Sequence, residues 1–332
     1  MVKRKDMKNI FYVLVAALCL VACGGNKKAV GEGTEVTLLG PTFCADSAMA
    51  FCNTQCEFGS RTMNSEAHEK CKEWIVGKFQ QYGLDVEEQK ADLKGWDNTT
   101  LKSTNIIARF NPESERRILI CAHWDCRPWA DNDPDSTNWR TPVLAANDAA
   151  SGVGVMLELA RLLQKDTTIV FGIDFVCFDA EDYGLPQWAE ADFEGSSEDT
   201  WALGAQYFAK NNTTKYQFGI LLDMVGGMGA HFYYEGFSMQ YASGIVDKVW
   251  RCANETGNSS YFIPQHGGKV TDDHKPLNDA GIPTIDIIPY YPDCQQSSFG
   301  PTWHTINDNM QNMDANVLGA VGQTLVQVIY SN

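Results

Sequence analysis

The sequence of 332 residues lacks the motifs of several common hydrolase classes. It contains no Gly-x-Ser-x-Gly segment, which argues against a serine hydrolase, and no cysteine has a histidine partner by motif, which argues against a thiol hydrolase. It has no Cys-x-x-Cys pair of the zinc-binding type. Internal repeats and low-complexity segments are absent as well, and no hydrophobic run beyond the N-terminal stretch reaches membrane length. Any chemistry must therefore rest on other side chains.

The N-terminus has the pattern of an export signal. Four basic residues within positions 3–8 precede an apolar stretch of about a dozen residues, which is too short for a transmembrane helix. The segment Leu20-Val21-Ala22-Cys23 resembles the bacterial lipoprotein signal, in which cleavage precedes a lipidated cysteine. We expect a signal peptide over 1–22, a lipidated Cys23 with a polar tether over 23–36, and one domain over 37–332. The alternative is an ordinary secretory signal with an accidental cysteine.

The expected location follows from this signal, and the charge limits the partners. An exported bacterial lipoprotein would be membrane-anchored through Cys23 and would face the periplasm. Residues 24–332 contain 22 Lys and Arg against 41 Asp and Glu, a net charge near −19. This excess of negative charge disfavours nucleic acid and anionic surfaces as partners. Nine cysteines follow Cys23, several of them in apolar runs that predict plain buried thiols, and their pairing is left open.

Apolar runs and helical periods together predict an α/β fold. The segment 65–82 predicts an amphipathic helix with Ser65 as its N-cap. Apolar runs at 105–110, 118–125, 175–182, 219–226 and 284–290 predict strands without polar alternation. Helical periods near 153–163, 242–249 and 318–328 lie between or after them. Buried strands separated by helices indicate a mixed, mostly parallel central sheet sandwiched between helices.

Polar residues cluster where the predicted strands end, and their chemistry suits a metal. In open α/β sheets, functional groups gather beyond the carboxyl ends of the strands. The clusters are His123 with Asp125, Asp148, Asp179 with Glu181 and Asp182, Asp223, Asp272-Asp273-His274, and Trp303-His304-Thr305. Carboxylate and imidazole ligands favour a hard-to-borderline cation, zinc above all. We therefore predict a zinc site at this edge of the sheet.

The stretch FDAEDYG at 178–184 places two acids side by side at the end of an apolar run. Successive side chains on a strand point to opposite faces, so Glu181 and Asp182 are expected to face different ways. One carboxylate can then bind the metal while the other stays unligated and transfers protons. The pair thus predicts two separate roles.

Six ordered motifs resemble a known superfamily, the co-catalytic zinc aminopeptidases and their relatives. The motifs are HWD at 123–125, NDAASG at 147–152, DAED at 179–182, LLDMVG at 221–226, DDHKPL at 272–277 and WHT at 303–305. The resemblance covers roughly 101–329 and implies the zinc aminopeptidase-like fold. One branch hydrolyses N-terminal peptide bonds with two zinc ions. The other, the animal-type glutaminyl-peptide cyclotransferases, converts N-terminal glutamine to pyroglutamate and releases ammonia with one zinc ion.

Trp303 beside His304, the acid Asp272, and the helix that begins within NDAASGVGV resemble the cyclotransferase branch. That resemblance implies that Asp148, Asp182 and His304 bind zinc, and that Glu181 takes the proton from the substrate amine. Asp223 and Asp272 would hydrogen-bond each other and the departing ammonia, and Trp303 would wall the pocket. The substrates would be peptides and proteins with N-terminal glutamine. A second pocket tryptophan is expected, either Trp188 or Trp201.

Two other interpretations remain at this point. An aminopeptidase would use His123 and Asp223 as ligands of a second zinc ion. A non-catalytic binding module could retain the fold, but such descendants typically lose the base or the ligands, which are all present here. The sequence also departs from the family, because Asp182 stands where many relatives have Glu. The stretch 289–302 is either a loop at the pocket rim or a surface loop.

Overall fold

Six strands form the central sheet in the computed structural model, which describes residues 38–332. The predicted signal peptide, Cys23 and the tether lie outside these residues. The eight strands described are β1 Asp85–Lys94, β2 Thr100–Phe110, β3 Arg117–His123, β4 Gly172–Phe178, β5 Gly219–Leu222, β6 Phe232–Tyr234, β7 Phe262–His266 and β8 Thr284–Ile287. The spatial order of the main sheet is β1-β2-β4-β3-β5-β8, and β6 and β7 form a small separate sheet.

The sheet is mixed, with a parallel half and an antiparallel edge. Strands β4, β3, β5 and β8 run parallel to one another, whereas β2 pairs antiparallel with β4 and β1 pairs antiparallel with β2. The four parallel strands therefore have their carboxyl ends along one edge, where ligand sites form in such sheets. The predicted mixed, mostly parallel sheet is confirmed.

Helices cover both faces of the sheet. The helices described are α1 Ala45–Glu57, α2 Glu66–Gln81, α3 Ala150–Leu163, α4 Leu203–Asn211, α5 Gly236–Glu255, α6 His274–Asp279 and α7 Ala315–Tyr330. The core on one side of the sheet contains residues of α1, α2, α3, α5 and α7, and the core on the other side contains residues of α4 and α6. Helix α2 begins as predicted, because the Ser65 side chain accepts a hydrogen bond from the backbone N–H of His68 at 3.1 Å.

Alternate residues of the strands fill two separate cores. On β3, Ile118 and Ile120 join the larger core, whereas Leu119 and Cys121 join the smaller one beneath α4 and α6. Every residue of β3 and β4 is buried. This double burial explains why the strands read as continuous apolar runs, since each pleat face contacts a helix layer rather than water.

Among the elements that the sequence analysis did not predict, three have a clear physical reason. Strand β1 is the exposed edge strand, and its sequence DVEEQKADLK carries charges on both sides. Charged edge strands are common because they block pairing with other chains, but they lack an apolar pattern. Helices α4 and α6, with nine and six residues, are too short for a clear helical period.

Within residues 38–332, no helix combines the length and apolarity that a membrane crossing requires. The nine cysteines of this part of the chain are all free, and seven of them are buried. Burial raises the pKa of the Cys71 thiol to about 12, which keeps it protonated at neutral pH. Such thiols act as small apolar core residues, as the apolar runs predicted.

Candidate active site

The loops that follow β3, β4, β5, β7 and β8 line one cavity of about 270 Å³. Six residues singled out from the sequence line it: Asp148, Glu181, Asp223, Asp272, Trp303 and His304. The seventh, Asp182, is buried beside His304, with its Oδ1 3.1 Å from the Nε2 of that histidine. Residues from distant parts of the chain therefore meet at one sheet edge.

The adjacent acids Glu181 and Asp182 do not lie on the strand. Strand β4 ends at Phe178, and Ala180 has a positive φ of 55°, so the chain turns before the pair. The carboxylate of Asp125 accepts hydrogen bonds from the backbone N–H groups of Glu181 (3.1 Å) and Asp182 (3.2 Å). The expectation that strand alternation separates the two acids is wrong. This turn, fixed by Asp125, sets their directions instead.

A second carboxylate fixes the backbone at Asp148. Both oxygens of Asp308 accept backbone hydrogen bonds, from Asn147 at 2.8 Å and from Asp148 at 3.0 Å. Asp308 is itself buried, as is nearby Arg61, whose guanidinium donates to the carbonyls of Leu144 and Ala145. These contacts hold the turn that precedes α3 and aim the Asp148 carboxylate into the cavity.

Asp148, Asp182 and His304 converge on one point. The Nε2 of His304 lies 3.6 Å from an oxygen of Asp148 and 3.1 Å from one of Asp182. Both carboxylate oxygens of Asp182 are buried without a hydrogen-bond donor. Burial and the neighbouring charges of Asp182 and Asp223 raise the pKa of Asp148 well above its ordinary value. Orphaned carboxylate oxygens beside an imidazole fit a bound cation, which would supply the missing positive charge.

His304 has the state that a metal ligand needs. Burial and the nearby Arg127 guanidinium hold the pKa of His304 well below its ordinary value, so the ring is neutral. A neutral imidazole keeps a lone pair for a cation. Arg127 also donates to the backbone carbonyl of Asp182 at 3.1 Å and pairs with Asp131 through two hydrogen bonds of 2.9 and 2.7 Å.

His123 occupies the other side of Asp148. Its Nε2 lies 2.9 Å from Asp148 Oδ1 and 3.3 Å from Asp223 Oδ1, and its Nδ1 lies 3.5 Å from Asp125. The ligand atoms of His123, Asp148 and Asp182 all lie within 4.8 Å of one another. The three residues could therefore also hold a cation, which keeps open a second position beside the first.

Two indoles line the cavity beside His304. Trp303 stacks on the His304 ring with centroids 3.8 Å apart, and Trp201 stacks on it at 5.9 Å, tilted by only 8°. Both tryptophans line the cavity, whereas Trp188 packs against Trp129 outside the cavity lining. A Cβ added to Gly184 would lie 2.1 Å from the Trp201 ring, so glycine is required for this approach. Trp201 is thus the second pocket tryptophan.

Phe299 decides between the two interpretations of the stretch 289–302. Its ring lies 4.9 Å from that of Trp303, and it lines the cavity mouth. Gly300, with a φ of 102°, turns the chain next to it. The stretch therefore forms a rim loop of the cavity.

Glu181 has the electrostatic setting of a proton carrier. It is buried, and the desolvation, together with the charges of Asp182, Asp272 and Asp273, raises its pKa well above the ordinary value for glutamate. The nearby His123 acts in the opposite direction, because a positive charge favours the carboxylate. A raised pKa lets a carboxyl group accept and return a proton near neutral pH.

Asp272 has a carboxyl partner that the sequence analysis did not identify. Asp286 on β8 lies within 4.8 Å of Asp272, and Asp223 acts on Asp272 through its charge. Burial and the Asp223 charge raise the pKa of Asp272 to about 6. The hydrogen bond expected between Asp223 and Asp272 stays a prediction. Asp286 left one trace in the sequence, since it is an acid inside the apolar run TIDII.

The other residues that shape the site gave weaker signals in the sequence. Asp308 lies four residues after His304 among several polar residues, and nothing in its spacing points to the backbone of Asp148. Arg127 and Asp131 lie in a loop with neither a strand nor a helix pattern. Their roles depend on contacts between segments distant in sequence, which no local pattern records.

Comparisons with known proteins agree with this geometry. The model of peptidase family M28 matches residues 105–329. The curated glutaminyl-peptide cyclotransferase of Bothrops jararaca is 25% identical over 237 residues, which are 64% of this chain and 60% of that protein. The chain thus spans less than two thirds of that relative's length.

The similarity to two solved structures extends over nearly the whole length of each of them. The glutaminyl cyclase of Bacteroides thetaiotaomicron is 47% identical, with a TM-score of 0.84, over 88% of this chain and 99% of its own. A Zn-dependent exopeptidase of Parabacteroides distasonis is 43% identical, with the same TM-score and the same coverage. These similarities confirm the resemblance to glutaminyl-peptide cyclotransferases, the fold and the enzyme class predicted from the sequence. The chain belongs to peptidase family M28.

Proposed function

We propose that this enzyme converts the N-terminal glutamine of peptides and proteins to pyroglutamate and releases ammonia, with one zinc ion. The glutaminyl cyclases among its relatives support the reaction, and the Zn-dependent exopeptidase supports the metal. The observation that carries the proposal is the pair of indoles, Trp201 and Trp303, stacked on His304 beside Glu181 in a small cavity. Such walls exclude water from the reacting carbonyl, and water would otherwise hydrolyse the amide to glutamate.

Asp148, Asp182 and His304 are the proposed zinc ligands. Two carboxylates and one neutral imidazole form a three-ligand set of the catalytic type, which leaves a position for substrate. Zinc in this place would polarise the side-chain amide carbonyl of glutamine as a Lewis acid. Asp182, shorter than glutamate by one methylene, is brought to the site by the turn that Asp125 holds.

The remaining residues bind and move protons. Trp201 and Trp303 hold the glutamine side chain in the bent conformation that brings its α-amine to the amide carbon, and this orientation supplies much of the rate. Glu181 takes a proton from the attacking amine and gives it to the departing nitrogen. Asp223 and Asp272 accept hydrogen bonds from the ammonia as it leaves. Atoms balance, because the amine loses one proton and the leaving group gains one.

The proposed reaction is tested with two peptides and the purified domain at neutral pH. We expect a peptide that begins with glutamine to lose the mass of one ammonia, and a matched peptide that begins with leucine to stay unchanged. Mass spectrometry measures both. Release of free leucine instead would establish an aminopeptidase. No change in either peptide with added zinc would favour a non-catalytic descendant.

The second candidate function is a two-metal aminopeptidase. The observation that favours it is His123, whose Nε2 lies close to both Asp148 and Asp223. These three residues could hold a second zinc ion with Asp148 shared between the two sites. The role of Asp223 therefore separates the candidates, as a ligand in the aminopeptidase and a proton-network residue in the cyclotransferase.

Substitution His123→Ala distinguishes the two by metal content. For a cyclotransferase we expect about one zinc per chain before and after the change, because the three proposed ligands remain. An aminopeptidase would instead lose part of its metal and most of its activity. Inductively coupled plasma mass spectrometry of the dialysed protein measures the zinc content. The matched control is His231→Ala, because His231 is exposed. A drop confined to His123→Ala would contradict the one-zinc assignment.

We also propose that the chain is exported as a lipoprotein. The support is the sequence pattern that ends at Cys23, with its basic start and short apolar stretch. Expression of the full chain with a labelled fatty acid tests the proposal. Label should enter the unaltered chain and be absent from Cys23→Ser. A labelled serine variant, or an unlabelled native chain, would leave only the ordinary secretory signal.

A further inference from the structure

A groove lies beside the active-site cavity, between α4, α6 and the segment Ser197–Thr200. Its volume is about 420 Å³, and the residues that line it include Gln206, Lys210, Lys275 and Ala280. None of these four residues lines the cavity. The proposed reaction of glutamine therefore leaves the groove without a role.

The groove begins beside the mouth of the cavity. Trp201 and Thr271, which are both half-buried, line the cavity and the groove. The exposed residues of the cavity lining lie within the segment Ser197–Thr200 and at Lys269. The cavity therefore opens to solvent beside Ser197–Thr200, and the same segment forms one wall of the groove.

A peptide substrate needs a path out of the cavity. Ring closure uses the α-amine and the side-chain amide of its first residue, so only that residue reacts in the cavity. The reacting end, with Asp148, Glu181 and His304, is buried. The residues that follow glutamine must therefore leave on the exposed side, past the segment Ser197–Thr200.

The chemistry of the groove suits the main chain of a peptide. On α6, Lys275 and Asp279 form an ion pair that lines the groove. On α4, Gln206 Nε2 donates to the backbone carbonyl of Trp201 at 2.8 Å, which leaves Oε1 of the same side chain as an acceptor. The N–H and C=O groups of an extended peptide can bind such donors and acceptors, whereas an apolar partner would leave them unpaired.

We propose that this groove binds the residues that follow the N-terminal glutamine of an extended peptide substrate, an inference that rests on the proposed function. The peptide passes from the cavity beside Trp201 and then between α4 and α6. Contacts remote from the reacting amide add binding energy without taking part in the chemistry. The enzyme therefore prefers peptides of several residues over glutamine derivatives that end at the cavity.

Two substrates of different length test this preference. One is glutamine amide, which ends at the cavity, and the other is the peptide amide Gln-Ala-Ala-Ala-Ala. We expect KM of the unaltered chain to be about tenfold lower for the longer substrate, with a similar kcat, because one or two hydrogen bonds are worth about that factor. Rates of ammonia release at several concentrations give both constants for each substrate.

Substitution Ala280→Trp fills the groove, because Ala280 lines it at the end of α6 and is exposed. We expect KM for the longer substrate to rise to the native value for glutamine amide, while KM for glutamine amide stays unchanged. Lys210→Trp fills the groove from α4 and replaces Ala280→Trp if the thermal transition shows that the first variant does not fold. The matched control is Ala191→Trp, since Ala191 is exposed and lines neither space; it should keep the native preference.

The proposed reaction and the role of the groove fail in different ways. If the unaltered chain releases ammonia from neither substrate, the proposed function fails and this inference falls with it. If it releases ammonia from both with equal KM, only the role of the groove is wrong. A length preference that survives in Ala280→Trp and Lys210→Trp would also overturn it, because the peptide would then leave by another path. So would an equal rise in KM for both substrates, which would mean that the variants act on the cavity.

Discussion

Glu181→Gln should lower kcat by about 10²–10⁴-fold while the zinc content stays at the native level. The glutamine side chain has nearly the shape of glutamate but cannot accept the proton of the attacking amine. Glu181 lines the cavity, whereas its neighbour Asp182 points to His304 and Asp148, so metal binding does not need Glu181. Initial rates of ammonia release give kcat, and inductively coupled plasma mass spectrometry of the same preparation gives the zinc content.

The matched control for this prediction is Glu198→Gln. Glu198 also lines the cavity but is exposed, in the segment Ser197–Thr200. It should retain activity within about threefold, the size expected for an exposed charge. If Glu181→Gln loses metal along with activity, the roles of the two adjacent acids have been assigned the wrong way round. If it retains full activity, another group is the base.

The sheet could be predicted from the sequence because its strands are buried on both faces. Runs such as ILICA on β3 and FVCF on β4 have no polar alternation, and a sheet covered by helices on both sides hides both faces of each strand. The same reasoning failed at the strand ends. The apolar run predicts a strand through Asp182, whereas β4 ends at Phe178. Asp125, from a different loop, accepts a hydrogen bond from the backbone of Glu181 and holds the turn that follows the strand.

The site was predicted to the extent that its residues carry reactive groups. Asp148, Glu181, Asp223 and His304 were found because several such groups cluster beyond the predicted strand ends, where functional sites form, and because their motifs resemble the family. Trp201 could not be chosen over Trp188 from the sequence, since its place on His304 depends on the small Gly184 beneath it. Asp308 was missed because it acts on the backbone of Asp148, which lies 160 residues away.

His304→Ala should remove both the metal and the activity. His304 contributes the only neutral nitrogen among the three proposed ligands, and its ring also forms the stacking surface for Trp201 and Trp303. Changes to residues that merely support a ligand typically cost about 10–100-fold in metal affinity, so loss of the ligand itself should cost more than about 100-fold. Metal titration with a competing chelator measures the affinity, and ammonia release measures the activity.

The thermal transition adds a readout that does not depend on turnover. A metal bound only by the folded chain stabilises it by mass action, about 2.7 kcal/mol when free zinc exceeds its Kd by about 100-fold. Added zinc should therefore raise the Tm of the native chain and of Glu181→Gln, but not that of His304→Ala. The exposed substitution His231→Ala should behave as the native chain does. If zinc instead raises the Tm of His304→Ala by the native amount, the cation is held without His304. The set of His123, Asp148 and Asp182 would then be its binding site.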